Sequence, residues 1–268
     1  MAVFYAVVGA SRGIGLEYVR QLAGRADAVV FAVVRNKASS KHLTVTAAGL
    51  GNVHIVEGDV VDARSISRAA EEIASISGGK LDYLIHNAAR MDISLFFRGY
   101  DDYANMEELD SDFIDAFKVN TLGVIHSIAA FLPLLRAGQA KKIIVISTGG
   151  ADPGSITNFG IAGMVAYGTT KAAAVMASTK WAVQFKNEGF VVVSLTPGLV
   201  DTTGTIGDSG DPEGHDRLVK AADALREAGS TLQLETPAQS VAKQLQVIEN
   251  LTSSDSGKLL SHDGGSFF

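Results

Sequence analysis

The sequence predicts an α/β fold, a doubly wound parallel sheet of about seven strands with helices on both faces. Three observations predict it. Short β-rich runs alternate with longer helical patterns along the chain. Most of the short runs are near-continuously apolar, as strands covered on both faces require. The first run ends in a glycine-rich turn that opens the first helical pattern.

The strand-like runs are Val3–Val8, Ala28–Val34, Val53–Glu57, Leu81–His86, Lys142–Ser147, Phe190–Leu195 and Lys258–Leu260. The helical patterns are Gly13–Ala23, Ala63–Ile76, Met106–Leu135, Val165–Asn187, Asp216–Glu227 and Pro237–Asn250. This is βαβ repetition. Less regular residues fall at 90–105, 149–163 and from 202 onward. Each segment follows a strand-like run, so each belongs at the carboxyl edge of the sheet, where ligands bind in this architecture. They are read as substrate loops at about 90–105, 149–163 and 202–228. Ordinary surface loops are the plainer reading. No linker-like stretch divides the chain, so residues 1–268 read as one domain.

Composition narrows the function classes. Hydrophobic residues make up 47% and charged residues 19%, enough apolar surface for a sizeable core. The net charge is −6, so the basic footprint of a nucleic-acid partner is missing. There is no cysteine, which excludes disulfides, zinc-thiolate sites and thiol catalysis. The apolar start ends at Gly9, far short of the roughly 20 residues of a membrane span. It reads as a buried strand and carries no signal-peptide pattern. The expected setting is cytoplasmic, with no membrane, nucleic-acid or metal partner.

The turn reads Gly9-Ala10-Ser11-Arg12-Gly13-Ile14-Gly15. Gly9 permits the tight exit from the strand, Gly13 close backbone approach to a pyrophosphate, and Gly15 close packing of helix on sheet. Free N–H groups at the helix start then face the phosphates. This is the pattern of a Rossmann-type dinucleotide site. An NAD site places an acid about 20 residues on, against the ribose hydroxyls. Here the second strand ends Val34-Arg35-Asn36-Lys37, with Arg35 where the acid would stand. Arg12 and Lys37 are further cations. Guanidinium groups match phosphate oxygens, so the expected cofactor is NADP(H). Two solvated arginines are the plainer alternative. Asp59, beside Val60 after the third strand, is placed to accept from an adenine amino group. Small residues in Asn87-Ala88-Ala89 leave room for a ribose.

Tyr167-Gly168-Thr169-Thr170-Lys171 opens a long helical pattern. Residues four apart share a helix face. A phenol titrating near 10 is a poor catalyst at neutral pH. A neighbouring ammonium and a positive nicotinamide favour the phenolate and are expected to lower that value. Alone, Tyr-x-x-x-Lys is common and marks a helix surface. After a glycine turn at the start of a βαβ unit, it points to proton transfer on a carbonyl or alcohol.

With these residues in view, the chain resembles the short-chain dehydrogenase/reductase family over nearly its whole length. Its nearest likeness is the carbonyl-reductase-like branch of the sniffer and C-factor type. The glycine turn matches at Gly9, Gly13 and Gly15, with Val8 where the family has threonine. The family's Asn-Asn-Ala-Gly run stands as His86-Asn87-Ala88-Ala89, and His86 reads as a strand-end residue. The resemblance implies that Asn120 holds a water in a proton relay to Lys171. It implies that a hydroxyl at the end of the fifth strand orients the substrate oxygen, Thr148 first and Ser147 as fallback. The gap from Thr148 to Tyr167 is longer than the family's usual spacing. The run Pro197-Gly198-Leu199-Val200-Asp201-Thr202 matches the turn whose backbone meets the nicotinamide carboxamide, and Thr202 would bond it or the phosphates. The resemblance also implies a homodimer or homotetramer.

The expected activity is NADP(H)-dependent reduction of a ketone or aldehyde, with a small-molecule carbonyl or alcohol as partner. Two alternatives use the same site: a dehydratase, epimerase or isomerase that keeps its cofactor, and an NADP(H)-sensing module without chemistry. Phe96, Phe97, Phe159 and Met164 lie in the loop segments. They fit an apolar or aromatic substrate, and core packing explains them equally well.

Overall fold

The strand-like runs form one parallel sheet. The computed structural model describes residues 2–91 and 93–265. The strands are β1 (Val3–Val8), β2 (Ala28–Val34), β3 (Val53–Glu57), β4 (Tyr83–His86), β5 (Lys142–Ile146), β6 (Val191–Thr196), β7 (Leu199–Val200), β8 (Leu234–Glu235) and β9 (Leu259–Ser261). Seven of them pair in the order β3-β2-β1-β4-β5-β6-β9, while β7 and β8 form a separate two-stranded ribbon. Strand order reverses between β1 and β4, which opens the crevice where such sheets bind ligands. The predicted strands are all present, with ends moved by a residue or two.

The helices are α1 (Gly13–Ala23), α2 (Lys41–Ala47), α3 (Ala63–Ser77), α4 (Ile93–Phe96), α5 (Met106–Phe117), α6 (Gly123–Ala137), α7 (Pro153–Phe159), α8 (Val165–Gln184), α9 (Pro212–Glu227) and α10 (Pro237–Asn250). The two faces of the sheet carry separate cores. Val8, Val33, Leu84 and Val145 meet Ile66 of α3, Ile128 of α6 and Ala174 of α8. Val7, Val30, Ile85 and Ile144 meet Leu16 of α1 and Val241 of α10. Strand residues alternate between the two sets because successive side chains point to opposite faces. Each fully buried Val, Leu or Ile contributes roughly 1.5–3 kcal/mol.

Half of the helix starts are closed by side chains of the sequence itself. Asp62, Asn105, Asp211 and Thr236 cap α3, α5, α9 and α10 through side-chain acceptors. At α1 the cap position is Arg12, which offers no acceptor.

The pattern over 106–135 predicts one helix. The run is continuous, but residues Lys118–Leu122 form a π-helical turn between α5 and α6. Met106–Ala137 is long and apolar enough to cross a membrane, yet half of its most apolar window is buried inside the protein, as in a core helix. Three segments expected to be irregular contain short helices instead: α4 in 90–105, α7 in 149–163, and an earlier start of α9 at Pro212. Pro153 and Pro212, at first helical positions with aspartate caps before them, explain the last two.

Candidate active site

The glycine turn is built on close backbone contact. Gly9 has φ +86°, and a Cβ there would lie 2.6 Å from the Cα of Ala88. A Cβ on Gly15 would lie 2.1 Å from the Gly9 carbonyl oxygen. No other residue fits either place. The Asn87 side chain donates to the same Gly9 carbonyl at 3.0 Å, so it clamps the turn from the β4 side. Ser11 is half-buried in the turn, and Ile14 packs partly against the α1 core. The Gly13 N–H donates to the Thr205 hydroxyl at 2.9 Å. Thr202 stands over Gly13, its methyl 3.1 Å from where a Gly13 Cβ would be. The chain after β6 therefore returns to the phosphate turn.

Arg12 and Arg35 are exposed beside this turn and form no ion pair among the described residues. Lys37 does not join them: its ammonium pairs with Glu72 at 3.4 Å. Asp59 is half-buried, and one of its oxygens accepts from the Val61 N–H. The carbonyl of buried Val60 faces the ring of His126 at 2.9 Å.

Tyr167 and Lys171 lie on one face of α8, with the Lys171 ammonium 5.8 Å from the Tyr167 ring centre. Lys171 is fully buried, and Nζ donates to the Ile146 carbonyl at 2.6 Å. Burial pushes its amine down to about 8. Burial likewise pushes the Tyr167 phenol up to about 12. That value is set by burial of the phenol; the lowering expected from the ammonium and a bound nicotinamide acts against it. Tyr167 is brought to the end of β5 by a second close approach: a Cβ on Gly168 would lie 2.8 Å from the Gly150 carbonyl oxygen. Just before it, Met164 takes φ +59°, a left-handed conformation rare for a side-chain-bearing residue.

The two hydroxyls after β5 differ in setting. Thr148 is half-buried, and its oxygen accepts from the Gly150 N–H at 3.1 Å, which leaves its proton to donate. Ser147 is buried, and its hydroxyl has no partner among the described residues. Asn120 sits in the π-turn, fully buried. Its Oδ1 accepts from the Arg90 N–H at 2.7 Å, and its Nδ2 donates to the Thr170 hydroxyl at 3.0 Å. The amide is thus committed to protein partners.

Arg90 was not legible as a site residue; a lone arginine after small residues carries no signal. It lines a cleft with Met91, Leu95, Phe96, Ala166 and Tyr167. Its guanidinium and the Tyr103 hydroxyl both bond the buried Asp112 carboxylate. Phe96 packs 5.0 Å from Tyr167, ring centre to ring centre, and edge-on to Phe97. Pro197, Gly198 and Val200 run alongside: the Pro197 carbonyl accepts from Ser240, Gly198 has φ +80°, and Val200 pairs with Glu235.

A glycine turn at the strand-order switch and a Tyr–Lys pair, its lysine fully buried, meet at one sheet edge. The sequence profile of the short chain dehydrogenase family matches residues 4–212. The chain belongs to the short-chain dehydrogenase/reductase family. It is 37% identical to the short-chain dehydrogenase/reductase atnB of Arthrinium sp over 261 residues, covering 97% of each chain. The NADPH-bound carbonyl reductase from chicken fatty liver superposes with a TM-score of 0.78 at 25% identity, covering 99% of this chain and 94% of that one. The carbonyl reductase Sniffer of D. melanogaster shares the fold, with a TM-score of 0.78 at 23% identity over 99% of this chain and 98% of that one. As a member of this family the protein is an enzyme, an oxidoreductase acting on a small molecule with a nicotinamide dinucleotide.

The residues fit such a cofactor. The cradle at Gly9, Gly13 and Gly15 excludes side chains, α1 lacks a side-chain cap, and no carboxylate follows β2 before Glu57.

Proposed function

We propose that this enzyme is an NADP(H)-dependent carbonyl reductase acting on ketones or aldehydes. One observation carries the reading: half-buried Tyr167 and fully buried Lys171 share a sheet edge with a phosphate cradle flanked by Arg12 and Arg35, which form no ion pair among the described residues. Gly9, Ser11, Arg12, Gly13, Ile14 and Gly15 would hold the diphosphate end, with Arg12 and Arg35 on the 2′-phosphate. Asp59, Val60, Asn87 and Ala88 would border the adenosine and ribose. Pro197, Gly198, Val200 and Thr202 would border the nicotinamide.

The bound cofactor supplies hydride to the carbonyl carbon. The protein's own residues manage the proton. Tyr167 holds its proton across the neutral range and donates it to the carbonyl oxygen as negative charge builds there. Lys171, cationic below about 8, stabilises the phenolate left behind. Thr148 donates to the same carbonyl oxygen and orients it. Asn120 holds Arg90 and the wall of the cleft. Phe96 covers Tyr167 and keeps water from the reacting atoms, which suits an apolar substrate. Residues 90–105, 149–163 and 202–228 form the substrate walls of a single domain. The absence of cysteine suits a reducing, cytoplasmic setting.

Titration of the pure protein with NADPH and NADH, followed by nicotinamide fluorescence, tests the reading. NADPH is expected to bind more tightly, with the preference reduced in Arg35→Asp. Equal affinity for both would remove the case for Arg12 and Arg35. Binding of neither would overturn the cofactor assignment.

A further inference from the structure

A file of buried polar groups runs behind the turn that ends β6. The Tyr18 hydroxyl donates to Gln244 Oε1 at 2.7 Å. Gln244 Nε2 donates to the Ser240 hydroxyl at 2.8 Å, and Ser240 donates to the Pro197 carbonyl at 2.6 Å. Tyr18, Gln244 and Ser240 have no exposed surface. Tyr18 belongs to α1, the helix that opens from the glycine cradle. Ser240 and Gln244 stand one turn apart on α10, so the file joins three elements distant in sequence.

Its polarity is set by chemistry. Ser240 accepts from Gln244, so its single proton goes to Pro197. Hydrogen bonds in such a buried chain polarise one another. The peptide plane does the rest. A trans peptide holds C=O and N–H antiparallel, so fixing the Pro197 carbonyl toward α10 aims the Gly198 N–H to the opposite side. That N–H has no acceptor among the described residues. Gly198 is pinned as well: a Cβ there would lie 2.6 Å from the ring of buried His262, which bonds Glu235 at 3.0 Å.

We infer that the Tyr18–Gln244–Ser240 file is a positioning relay, which aims the Pro197–Gly198 peptide at the nicotinamide end and ties that aim to the helix holding the phosphates. The inference rests on the cofactor reading above. Ser240 acts through Pro197 and is a positioning residue.

Calorimetric titration of the full chain tests it with two ligands. NADPH reaches both ends of the site, whereas 2′,5′-ADP reaches only the adenosine end. Ser240→Ala is expected to weaken NADPH by about tenfold while 2′,5′-ADP stays within about twofold of the parent. Ser240→Thr, which keeps the hydroxyl, restores NADPH binding, and Tyr18→Phe repeats the selective loss more weakly. A merely structural role would lower the unfolding temperature and weaken both ligands alike. That result, or unchanged NADPH binding in Ser240→Ala, overturns the relay. A parent chain that binds neither ligand overturns the cofactor reading, and the relay with it.

Discussion

The Lys171 ammonium donates to the Ile146 carbonyl at 2.6 Å, at the point where β5 ends, just before the Ser147 and Thr148 hydroxyls. Helix α8 is thereby tied to the sheet by a buried charge. The burial that positions this lysine also pushes its amine down to about 8, against about 10.5 in the unfolded chain. Between those values the unfolded chain binds more protons, so stability rises with pH across the window. Below pH 8 the full penalty for burying the charge is present. Lys171→Met is therefore expected to abolish turnover yet gain about 2 kcal/mol at pH 7, after loss of one hydrogen bond. Urea unfolding at pH 7 and pH 9.5 checks this. The gain should shrink at the higher pH.

In the proposed reaction Tyr167 carries the proton, and burial pushes its phenol up to about 12 before any ligand field acts on it. Tyr167→Phe removes the proton but keeps the ring against Phe96. NADPH affinity is expected to hold while turnover falls by ~10²–10⁴. Steady-state assays on any carbonyl compound the parent reduces, beside cofactor titration, decide it. Retained turnover would falsify the assignment.

Thr148 and Ser147 separate by partner. Thr148 keeps a proton free to donate, while the Ser147 hydroxyl is buried without a partner. Thr148→Ala is expected to lower kcat by roughly tenfold or more, the loss of one oriented donor. Ser147→Ala should leave kcat near the parent value. It should also raise stability by up to about 1 kcal/mol, because an unsatisfied buried hydroxyl disappears. The opposite pattern would move the substrate oxygen to Ser147.

His86 is fully buried, and among the described residues neither ring nitrogen has a partner at hydrogen-bond geometry. Burial first, then the Lys171 charge, pushes its imidazole down to about 3. The unfolded ring titrates near 6.5, so the unfolded chain takes up a proton that the native state refuses. Stability is lost as pH falls from 6.5 toward 3. His86→Asn should retain about 3 kcal/mol of what the parent loses between pH 6.5 and pH 4. Denaturant titrations at pH 7.5 and pH 4.5 measure the difference. Equal acid sensitivity in both proteins would mean the ring finds a partner when charged.

Much of the sheet was legible because its strands are buried on both faces. Val3–Val8 and Ala28–Val34 read as continuous apolar runs and appear with those bounds. The short helices within the loop segments were not legible. Four to seven residues are too few to display a period, and α7 owes its start to Asp152 and Pro153. The π-turn at Asn120 was equally hidden, since an apolar stripe does not register one extra residue in a turn.

What the sequence by itself determined is local. It set the glycine cradle, because only glycine tolerates those backbone angles and contacts, and it set the four-residue spacing that puts Tyr167 and Lys171 on one face. What only the tertiary structure decided is which distant groups meet. Asn120 bonds Arg90, Ser240 bonds Pro197, and Thr205 bonds Gly13 from 192 residues away. Burial did the same for charge: it pushes the Tyr167 phenol up and the Lys171 amine down. Periodicity and turn chemistry act over a few neighbouring residues. Desolvation and long-range hydrogen bonds depend on sheet order and helix packing, and these exist only once the chain has closed on itself.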